Sequence, residues 1–348
     1  MFIARSSIRF SCGAGVSRRW LQHPLLSSSE VREHYEGFIC DLDGVLYHGE
    51  SLLPGAAEFV EFLQRSNKRF LFLTNSSERT PRELSRKLAR ISDGKIDVPP
   101  EHFYTSALAT AEFVHSQCPN ATAYVIGEPG LLSAVAKAGI QVNTCGTDVD
   151  FVIVGETQSY ALPSIELATK LVCNGARLIG TNADVRDKTP DSFKPACAAL
   201  IKPIEMASGR AAHFVGKPSP LIMRAALGEL GVEPHKCCIV GDNMQTDIQA
   251  GVLVLSGVTR AEDVENYAFR PHLIVNSVAD LLSHNDEHEH HKVVAAKPSN
   301  KQLGVHALTH DDDDHSATSD RSFMGLARRE ALDEAACVAL EHEHVTPF

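Results

Sequence analysis

Residues 38–50 have the sequence FICDLDGVLYHGE, in which a short apolar run leads directly into two carboxylates. The apolar run predicts a buried strand, and Asp41 and Asp43 follow at its end, with Gly44 directly behind them. Ligands of parallel α/β sheets bind at the carboxyl ends of the strands. Glycine lets the backbone turn sharply and come close to a ligand. This stretch therefore predicts a ligand site at the end of the first strand.

Short apolar runs alternate with segments of helical period between residues 36 and 283. This alternation predicts an α/β fold with a doubly wound, Rossmann-like parallel sheet and helices on both faces. The predicted strands are KRFLFLTN, AYVIG, DFVIVGE, ARLIGTN, AHFVGK and CCIVGD, and the predicted helices are PGAAEFVEFLQRS, EPGLLSAVAKAG, SIELATKLVCNG and SPLIMRAALGELG.

Polar side chains also stand at the ends of three other predicted strands. They are Thr74, Asn75 and Ser76, then Lys217, then Asp242 with Asn243 and Asp247. Carboxylates that converge at one edge repel each other, and burial raises their pKa values. A divalent cation such as Mg²⁺ relieves both effects, and a lysine supplies a positive charge for a phosphate. The pattern therefore predicts a Mg²⁺ cofactor and phosphoryl transfer.

The motifs DLDGV, LTNSS, VGKPSP and GDNMQTD together resemble the signature of the haloacid dehalogenase superfamily. The stretches DFVIVGETQSY, GARLIGTNAD, VGKPSPLIMRAAL and LVLSGV are similar to its NagD-type branch of ribonucleotide monophosphatases and p-nitrophenylphosphatases. The resemblance covers roughly residues 36–282. It implies a Mg²⁺-dependent phosphomonoesterase with a small phosphorylated metabolite as substrate.

The resemblance also implies a role for each motif residue. Asp41 is the nucleophile that forms an aspartyl-phosphate, and Asp43 is the general acid and then the general base. The implied substrate-binding residues are Thr74, Asn75, Ser76 and Lys217. The implied metal ligands are the Asp41 carboxylate, the Asp43 backbone carbonyl and Asp242, with Gly44, Asn243 and Asp247 in support.

The long segment between Asn75 and Lys217 contains its own strand–helix alternation, which predicts an inserted domain. We expect core residues 36–118, an α/β type-2 cap over residues 119–210, and core residues 211–283. The cap stretch TNADVRDKTPDSFKP offers Asn182, Asp184 and Lys194 as candidate substrate-specificity residues. A homodimer formed through the cap is one assembly that stays open.

The residues leave other functions and several substrates open. A catalytically impaired relative that binds phosphorylated ligands or partners is the alternative, and a phosphomutase is a third interpretation. Nucleoside monophosphates, phosphoglycolate and pyridoxal phosphate are all candidate substrates. The net charge of −11 comes without a basic stripe, so a nucleic-acid partner is not expected. No run approaches the about 20 apolar residues of a membrane span.

The two ends of the chain differ from its centre. Residues 1–35 are predicted to be a disordered, transit-peptide-like segment, because four arginines and many serines precede the first acid, Glu30. This composition favours a mitochondrial location, with plastid or cytoplasm as alternatives. Residues 284–348 carry 13 acidic and six basic residues, and their composition predicts a mostly disordered, histidine-rich tail.

The segment that follows Asp242 is shorter than the resemblance implies. Relatives carry about seven further residues, of the type F-Q-A-G-L-x-T, after the stretch GDNMQTDIQAG. Here residues 243–251 alone join Asp242 to VLVL, whereas a parallel crossover needs about a dozen residues, helix included. We expect a helix of about two turns, and a VLVL strand that pairs in strained or shifted register or leaves the sheet.

Overall fold

The computed structural model describes residues 26–145, 148–188, 192–248 and 251–283. The predicted targeting segment before residue 26 and the predicted tail, residues 284–348, lie outside these residues. Within the described ranges, no helix is long and apolar enough to span a membrane.

The described residues form strands and α-helices in alternation. The strands are β1 (Gly37–Cys40), β2 (Tyr47–His48), β3 (Ser51–Leu52), β4 (Arg69–Thr74), β5 (Phe103–Thr105), β6 (Thr122–Ile126), β7 (Gln141–Val142), β8 (Phe151–Val154), β9 (Arg177–Gly180), β10 (Arg186–Lys188), β11 (Phe193–Pro195), β12 (His213–Phe214), β13 (Cys237–Gly241), β14 (Val252–Val254) and β15 (Leu273–Val275). The helices are α1 (Ser28–His34), α2 (Ala56–Arg65), α3 (Pro81–Ile91), α4 (Ser106–Gln117), α5 (Pro129–Lys137), α6 (Leu162–Cys173), α7 (Cys197–Ser208) and α8 (Pro220–Leu230).

Six parallel strands form the core sheet, in the order β15-β14-β13-β1-β4-β5. The chain moves from β1 to β4 and β5 on one side and later returns on the other side with β13, β14 and β15. This reversal beside β1 is a topological switch point, where α/β sheets bind ligands. The predicted doubly wound, Rossmann-like core is confirmed.

Side chains of β1 alternate between two apolar layers. Phe38 and Cys40 pack in a cluster with residues of α1, α2 and α3, whereas Ile39 packs in a cluster with residues of α4, α5 and α8. All four residues of β1 are buried. Because both faces are covered, the strand is an uninterrupted apolar run, and Asp41 marks the point where the chain leaves the core.

A second parallel sheet is inserted in the chain between β5 and β13. Its five strands have the order β12-β9-β8-β6-β7, and α6 and α7 pack together beside it. The antiparallel hairpin β10–β11 follows β9. This inserted α/β unit fits the cap that was predicted. Strand β12, which the sequence placed after the insertion, pairs with β9 of this second sheet.

Helix α1 lies within the range for which composition predicted disorder. Ser27 caps it, with Glu30 completing a capping box, and Val31 is buried in the core. Leu26 N also donates to His272 O over 3.1 Å. The prediction of disorder is therefore wrong for residues 28–34, because a cap and one buried apolar side chain fix this helix on the core.

Strand β14 remains in the core sheet despite the short connection before it. Val252 pairs with Val240 and with Leu273, so β14 lies between β13 and β15. The described part of the connection, residues 242–248 and 251, contains turns and no helix. The expected two-turn helix is wrong, and of the two alternatives for VLVL its departure from the sheet is wrong. Gly251 lets the chain turn directly into β14. Its φ is 145°, and a Cβ at this position would lie 2.2 Å from Ile239 O.

Candidate active site

The ends of three neighbouring strands bring polar side chains to one edge of the core sheet. Strands β1 and β13 pair in parallel as far as Cys40 and Val240, and Asp41 and Asp242 follow at these ends. Asp41 N donates to Val240 O over 2.9 Å, which extends the pairing to the carboxylate itself. Thr74 is the last residue of β4, the neighbour of β1 on the other side.

Three carboxylates form a cluster at this edge. One oxygen each of Asp41, Asp242 and Asp247 lie within 4.8 Å of one another. Lys217 reaches the cluster from the segment after β12. Its Nζ lies 2.9 Å from Oδ1 of Asp41 and 2.6 Å from Oδ1 of Asp247. Asp247, which the sequence placed in a supporting role, is thus a direct member of the cluster.

Backbone groups and a glycine hold the Asp242 carboxylate in place. Val258 N donates to its Oδ2 over 2.7 Å, and Thr259 N donates to the Asp242 carbonyl over 3.0 Å. Gly44 has φ of 85°, and a Cβ there would lie 2.5 Å from Asp242 Oδ2. Asn243 supports the same turn, since its backbone N donates to Asp247 Oδ2 over 3.1 Å.

Burial and crowded negative charge act on the protonation of the cluster. Burial raises the pKa of Asp41 to about 7 against the lowering effect of Lys217, and Asp247 adds to the rise. Burial first, and then Asp41 and Asp247, raise the pKa of Asp242. Burial opposes the charge on Lys217, but Asp247 and Asp41 together raise its pKa. One lysine therefore leaves the negative charge of three carboxylates partly unbalanced.

This donor set fits a hard divalent cation. All three side chains offer carboxylate oxygens, which Mg²⁺ prefers as ligands. A dication would balance the negative charge of the three carboxylates that Lys217 alone does not neutralise. Among the described residues, it is the one group of three or more His, Cys, Asp and Glu side chains with the spacing of a metal site. Metal binding by the backbone carbonyl of Asp43 stays a prediction.

The loop after β4 joins the site to Lys217 through Asn75. Lys217 N donates to Asn75 Oδ1 over 2.7 Å, and Asn75 Nδ2 donates to Lys217 O over 3.0 Å and to Asp184 Oδ2 over 2.8 Å. The Asn75 amide thus joins the loop after β4 to the segment of Lys217, and its role in holding the phosphoryl oxygens stays a prediction. Ser76 N donates to Thr74 Oγ1 over 3.1 Å at this strand end, and phosphate binding by these two residues stays a prediction.

A buried polar cluster behind this loop connects the core to the second sheet. Ser77 N donates to Glu156 Oε2 over 3.0 Å, and Asn182 Nδ2 donates to Asn75 O over 2.8 Å and to Glu156 Oε1. Asn182 is 0% exposed and its side chain belongs to this cluster, and its role as a substrate-specificity residue stays a prediction. Burial raises the pKa of Glu156. The sequence analysis missed Ser77 and Glu156, although Glu156 is a polar residue just past the end of β8.

The two other candidate specificity residues, Asp184 and Lys194, belong to the inserted unit and contact the loop after β4. Asp184 accepts the hydrogen bond from Asn75, and burial raises its pKa. Lys194, in the β10–β11 hairpin, lies 2.7 Å from Glu78 and 3.6 Å from Asp187. Lys194 therefore ties the hairpin to the loop after β4.

Asp43 is not a member of the carboxylate cluster, and it contacts His48, which was not among the predicted site residues. The Asp43 side chain is 65% exposed, and its Oδ1 lies 3.3 Å from His48 Nδ1. His48 Nε2 lies 2.6 Å from Ser256 O. Because a carbonyl oxygen only accepts, Nε2 carries hydrogen and donates to it. The ring is therefore fixed with Nδ1 toward Asp43.

Known proteins resemble the chain over most of the described range. Residues 38–141 match the family model of haloacid dehalogenase-like hydrolases, and residues 214–281 match a further HAD-hydrolase-like model. Ribonucleotide monophosphatase NagD of Escherichia coli K12 is 44% identical over 252 residues, 70% of this chain and 96% of that protein. Dihydroxyacetone phosphatase of Corynebacterium glutamicum is 39% identical over 251 residues, 70% of this chain and 90% of that protein.

Solved structures agree with these matches. NagD from E. coli K-12 has a TM-score of 0.66 at 42% identity, covering 70% of this chain and 97% of that one. The 4-nitrophenylphosphatase of Thermotoga maritima has a TM-score of 0.67 at 30% identity, covering 72% and 97%. Fold and site define a hydrolase with a Rossmann-like core and an inserted cap. The chain belongs to the haloacid dehalogenase-like hydrolases, in their NagD-type branch of phosphatases, which are phosphoric monoester hydrolases.

Proposed function

We propose that the chain is a Mg²⁺-dependent phosphomonoesterase that works through an aspartyl-phosphate on Asp41. The observation that carries this proposal is the placement of Asp41 against Lys217, beside the carboxylates of Asp242 and Asp247. A nucleophile needs a fixed position and a nearby positive charge to approach a phosphate dianion. Lys217 supplies both for Asp41.

In the proposed reaction, an Asp41 oxygen attacks phosphorus and the bond from phosphorus to the ester oxygen breaks. Asp43 gives its proton to that leaving oxygen. Asp43 then takes a proton from a water molecule, whose oxygen attacks phosphorus and displaces the Asp41 carboxylate. Inorganic phosphate and the dephosphorylated alcohol are the products, and Asp41 and Asp43 return to their starting states.

Several residues of the chain would hold the phosphate and the ion. Lys217 orients Asp41 and balances phosphate charge, while Thr74 and Ser76 lie at the neighbouring strand end. Asp41, Asp242 and Asp247 would hold Mg²⁺, which when bound neutralises charge that develops on the phosphoryl oxygens. The second sheet, joined to the loop after β4, would limit the access of water.

The proposed substrate is a small phosphorylated metabolite. Relatives of the chain are named ribonucleotide monophosphatase, dihydroxyacetone phosphatase and acid sugar phosphatase. The variety of these substrates supports a site that binds mainly the phosphate group, with residues outside it selecting the leaving group. Nucleoside monophosphates, triose and sugar phosphates, phosphoglycolate and pyridoxal phosphate are the esters to compare by kcat/KM.

The short connection between β13 and β14 favours a second function, the binding of phosphorylated ligands without hydrolysis. This connection carries Asp247, so a loosened connection would weaken the carboxylate cluster and leave a protein that binds phosphorylated ligands without turning them over. Binding of a phosphate ester without Mg²⁺-dependent hydrolysis would support this alternative.

The test is p-nitrophenyl phosphate hydrolysis by the wild-type chain with and without Mg²⁺, and by Asp41→Asn. We expect Mg²⁺-dependent turnover, a loss of at least about a thousandfold in kcat for Asp41→Asn, and an unchanged Tm. Asp93→Asn, an exposed position, is the matched control. Activity of Asp41→Asn within about tenfold of wild type would overturn the mechanism.

A further inference from the structure

We propose that His48 is a positioning residue that holds the Asp43 carboxyl in the orientation for proton transfer to the leaving group. The inference rests on the proposed function, because it concerns the acid of that reaction. Asp43 is 65% exposed, and among the described residues His48 provides the one hydrogen-bond partner of its carboxylate, at 3.3 Å. An exposed aspartate without a partner samples several rotamers, and most of them point away from the substrate.

His48 is itself held in place from its other side. Its Nε2 donates to Ser256 O over 2.6 Å, and Ser256 Oγ donates to Gly44 O over 2.7 Å. These two bonds join the segment that contains Asp43 to the segment after β14. His48 lies in the short hairpin β2–β3, so its backbone position is also fixed.

The same segment after β14 holds the carboxylate cluster. Val258 N donates to Asp242 Oδ2, two residues beyond the contact of Ser256 with His48. One backbone segment therefore fixes the position of Asp242 and, through His48, that of Asp43. A displacement of about 1 Å in a reacting group costs up to about a hundredfold in rate. This shared segment keeps the Asp43 carboxyl in a fixed position relative to the Asp242 carboxylate.

The role of His48 predicts a dependence on the leaving group. A p-nitrophenolate leaves without protonation, whereas a more basic phenolate needs a proton from the acid. General acid catalysis is worth about 10²–10⁴ in rate where protonation is required. Loss of the Asp43 orientation should therefore slow esters of basic alcohols selectively, with little effect on KM.

The experiment compares kcat and KM of the wild-type chain, His48→Ala and His48→Asn across a series of ring-substituted phenyl phosphates with Mg²⁺. We expect His48→Ala to lower kcat about 10- to 100-fold on phenyl phosphate and less than about threefold on p-nitrophenyl phosphate. His48→Asn places a side-chain amide, which can donate or accept a hydrogen bond, near the position of Nδ1 and should restore part of the loss. His235→Ala removes an exposed histidine that lies 3.4 Å from Glu233, and it is the matched control.

Each outcome separates the two proposals. Equal losses on all esters, or no loss, would overturn the role of His48 while leaving the phosphatase mechanism intact. A selective loss that His48→Asn does not relieve would also overturn positioning through a hydrogen bond. A wild-type chain that hydrolyses none of the esters would overturn the proposed function, and the role of His48 with it.

Discussion

Gly257 lies so close to Asp242 that a Cβ at position 257 would be 1.9 Å from Asp242 Oδ2. No side chain fits in that distance, so glycine is required for the carboxylate to keep its place. The neighbouring Val258 N donates to the same oxygen. The segment 256–258 thus shapes the carboxylate cluster without contributing a side chain to it.

We expect Gly257→Ala to weaken Mg²⁺ activation by about tenfold or more, because changes to groups that orient a metal ligand typically cost 10- to 100-fold in affinity. The measurement is the Mg²⁺ concentration that gives half-maximal hydrolysis of p-nitrophenyl phosphate, together with the Tm. Gly228→Ala is the matched control, since a Cβ at this position in α8 meets nothing within 4 Å. That control should keep activity and gain about 0.5–1 kcal/mol in stability. Unchanged Mg²⁺ activation in Gly257→Ala would contradict the role of this contact.

The ends of the core strands were predictable, because each is an apolar run that stops at a polar residue. Asp41, Thr74 and Asp242 stand at neighbouring strand ends for this reason. The role of Gly257 and Val258 was not predictable in the same way. A backbone N–H and an absent Cβ leave no polar signature in the sequence, and the LVLSGV stretch indicated only a family likeness.

Membership of a sheet also depended on pairing that local sequence does not determine. Strand β12 has two residues, and its partner β9 lies in the second sheet. Glu156 was missed for a different reason: the strand-end argument was applied to the core sheet alone. Applied to β8, the same argument would have selected Glu156, a carboxylate just beyond the strand end.

Glu156 gives a prediction about stability and pH. Burial raises its pKa in the folded state above the value of an unfolded chain, so the folded state binds more protons. The stability contribution is therefore complete below about pH 4, near the pKa of unfolded glutamate, and is lost as the pH rises toward the folded-state pKa. Glu156→Gln removes this titration, so the variant should gain stability relative to wild type as the pH increases from 4 to 8.

The measurement is the free energy of unfolding of both proteins across this pH range, by urea titration. Glu61→Gln is the control, since Glu61 is a half-exposed glutamate that pairs with Arg65 on α2. Its difference from wild type across the same pH range is the baseline. If the difference between Glu156→Gln and wild type varies with pH no more than this baseline, the buried carboxyl carries no pH-dependent stability.

The short connection between β13 and β14 gives the last prediction. Strand β13 is an interior strand of the core sheet, yet Cys237 and Ile239 on one of its faces are only half-buried. An apolar cleft of about 160 Å³ lies on this face and is lined by Ile39, Pro218, Met223, Leu227, Pro234, Cys237, Ile239, Thr246 and Asp247. A crossover helix of ordinary length packs on a sheet face, whereas the described part of this connection, residues 242–248 and 251, forms no helix beside the cleft at Asp247.

We expect that inserting Phe-Gln-Ala-Gly-Leu-Glu-Thr after Gly251 raises Tm by several degrees and increases kcat/KM. Burial of the added Phe and Leu side chains contributes at most about 1.5–3 kcal/mol each, and a more rigid connection holds Asp247 more firmly beside Lys217. An insertion of seven alternating Gly and Ser residues is the control, because it restores length without apolar side chains. Tm by calorimetry, kcat/KM on p-nitrophenyl phosphate and binding of a hydrophobic dye to the cleft are the measurements. Equal values for the wild-type chain and the Phe-Gln-Ala-Gly-Leu-Glu-Thr insertion would show that the short connection already supports Asp247 fully. Equal gains from both insertions would show that the connection lacked length rather than apolar side chains over the cleft.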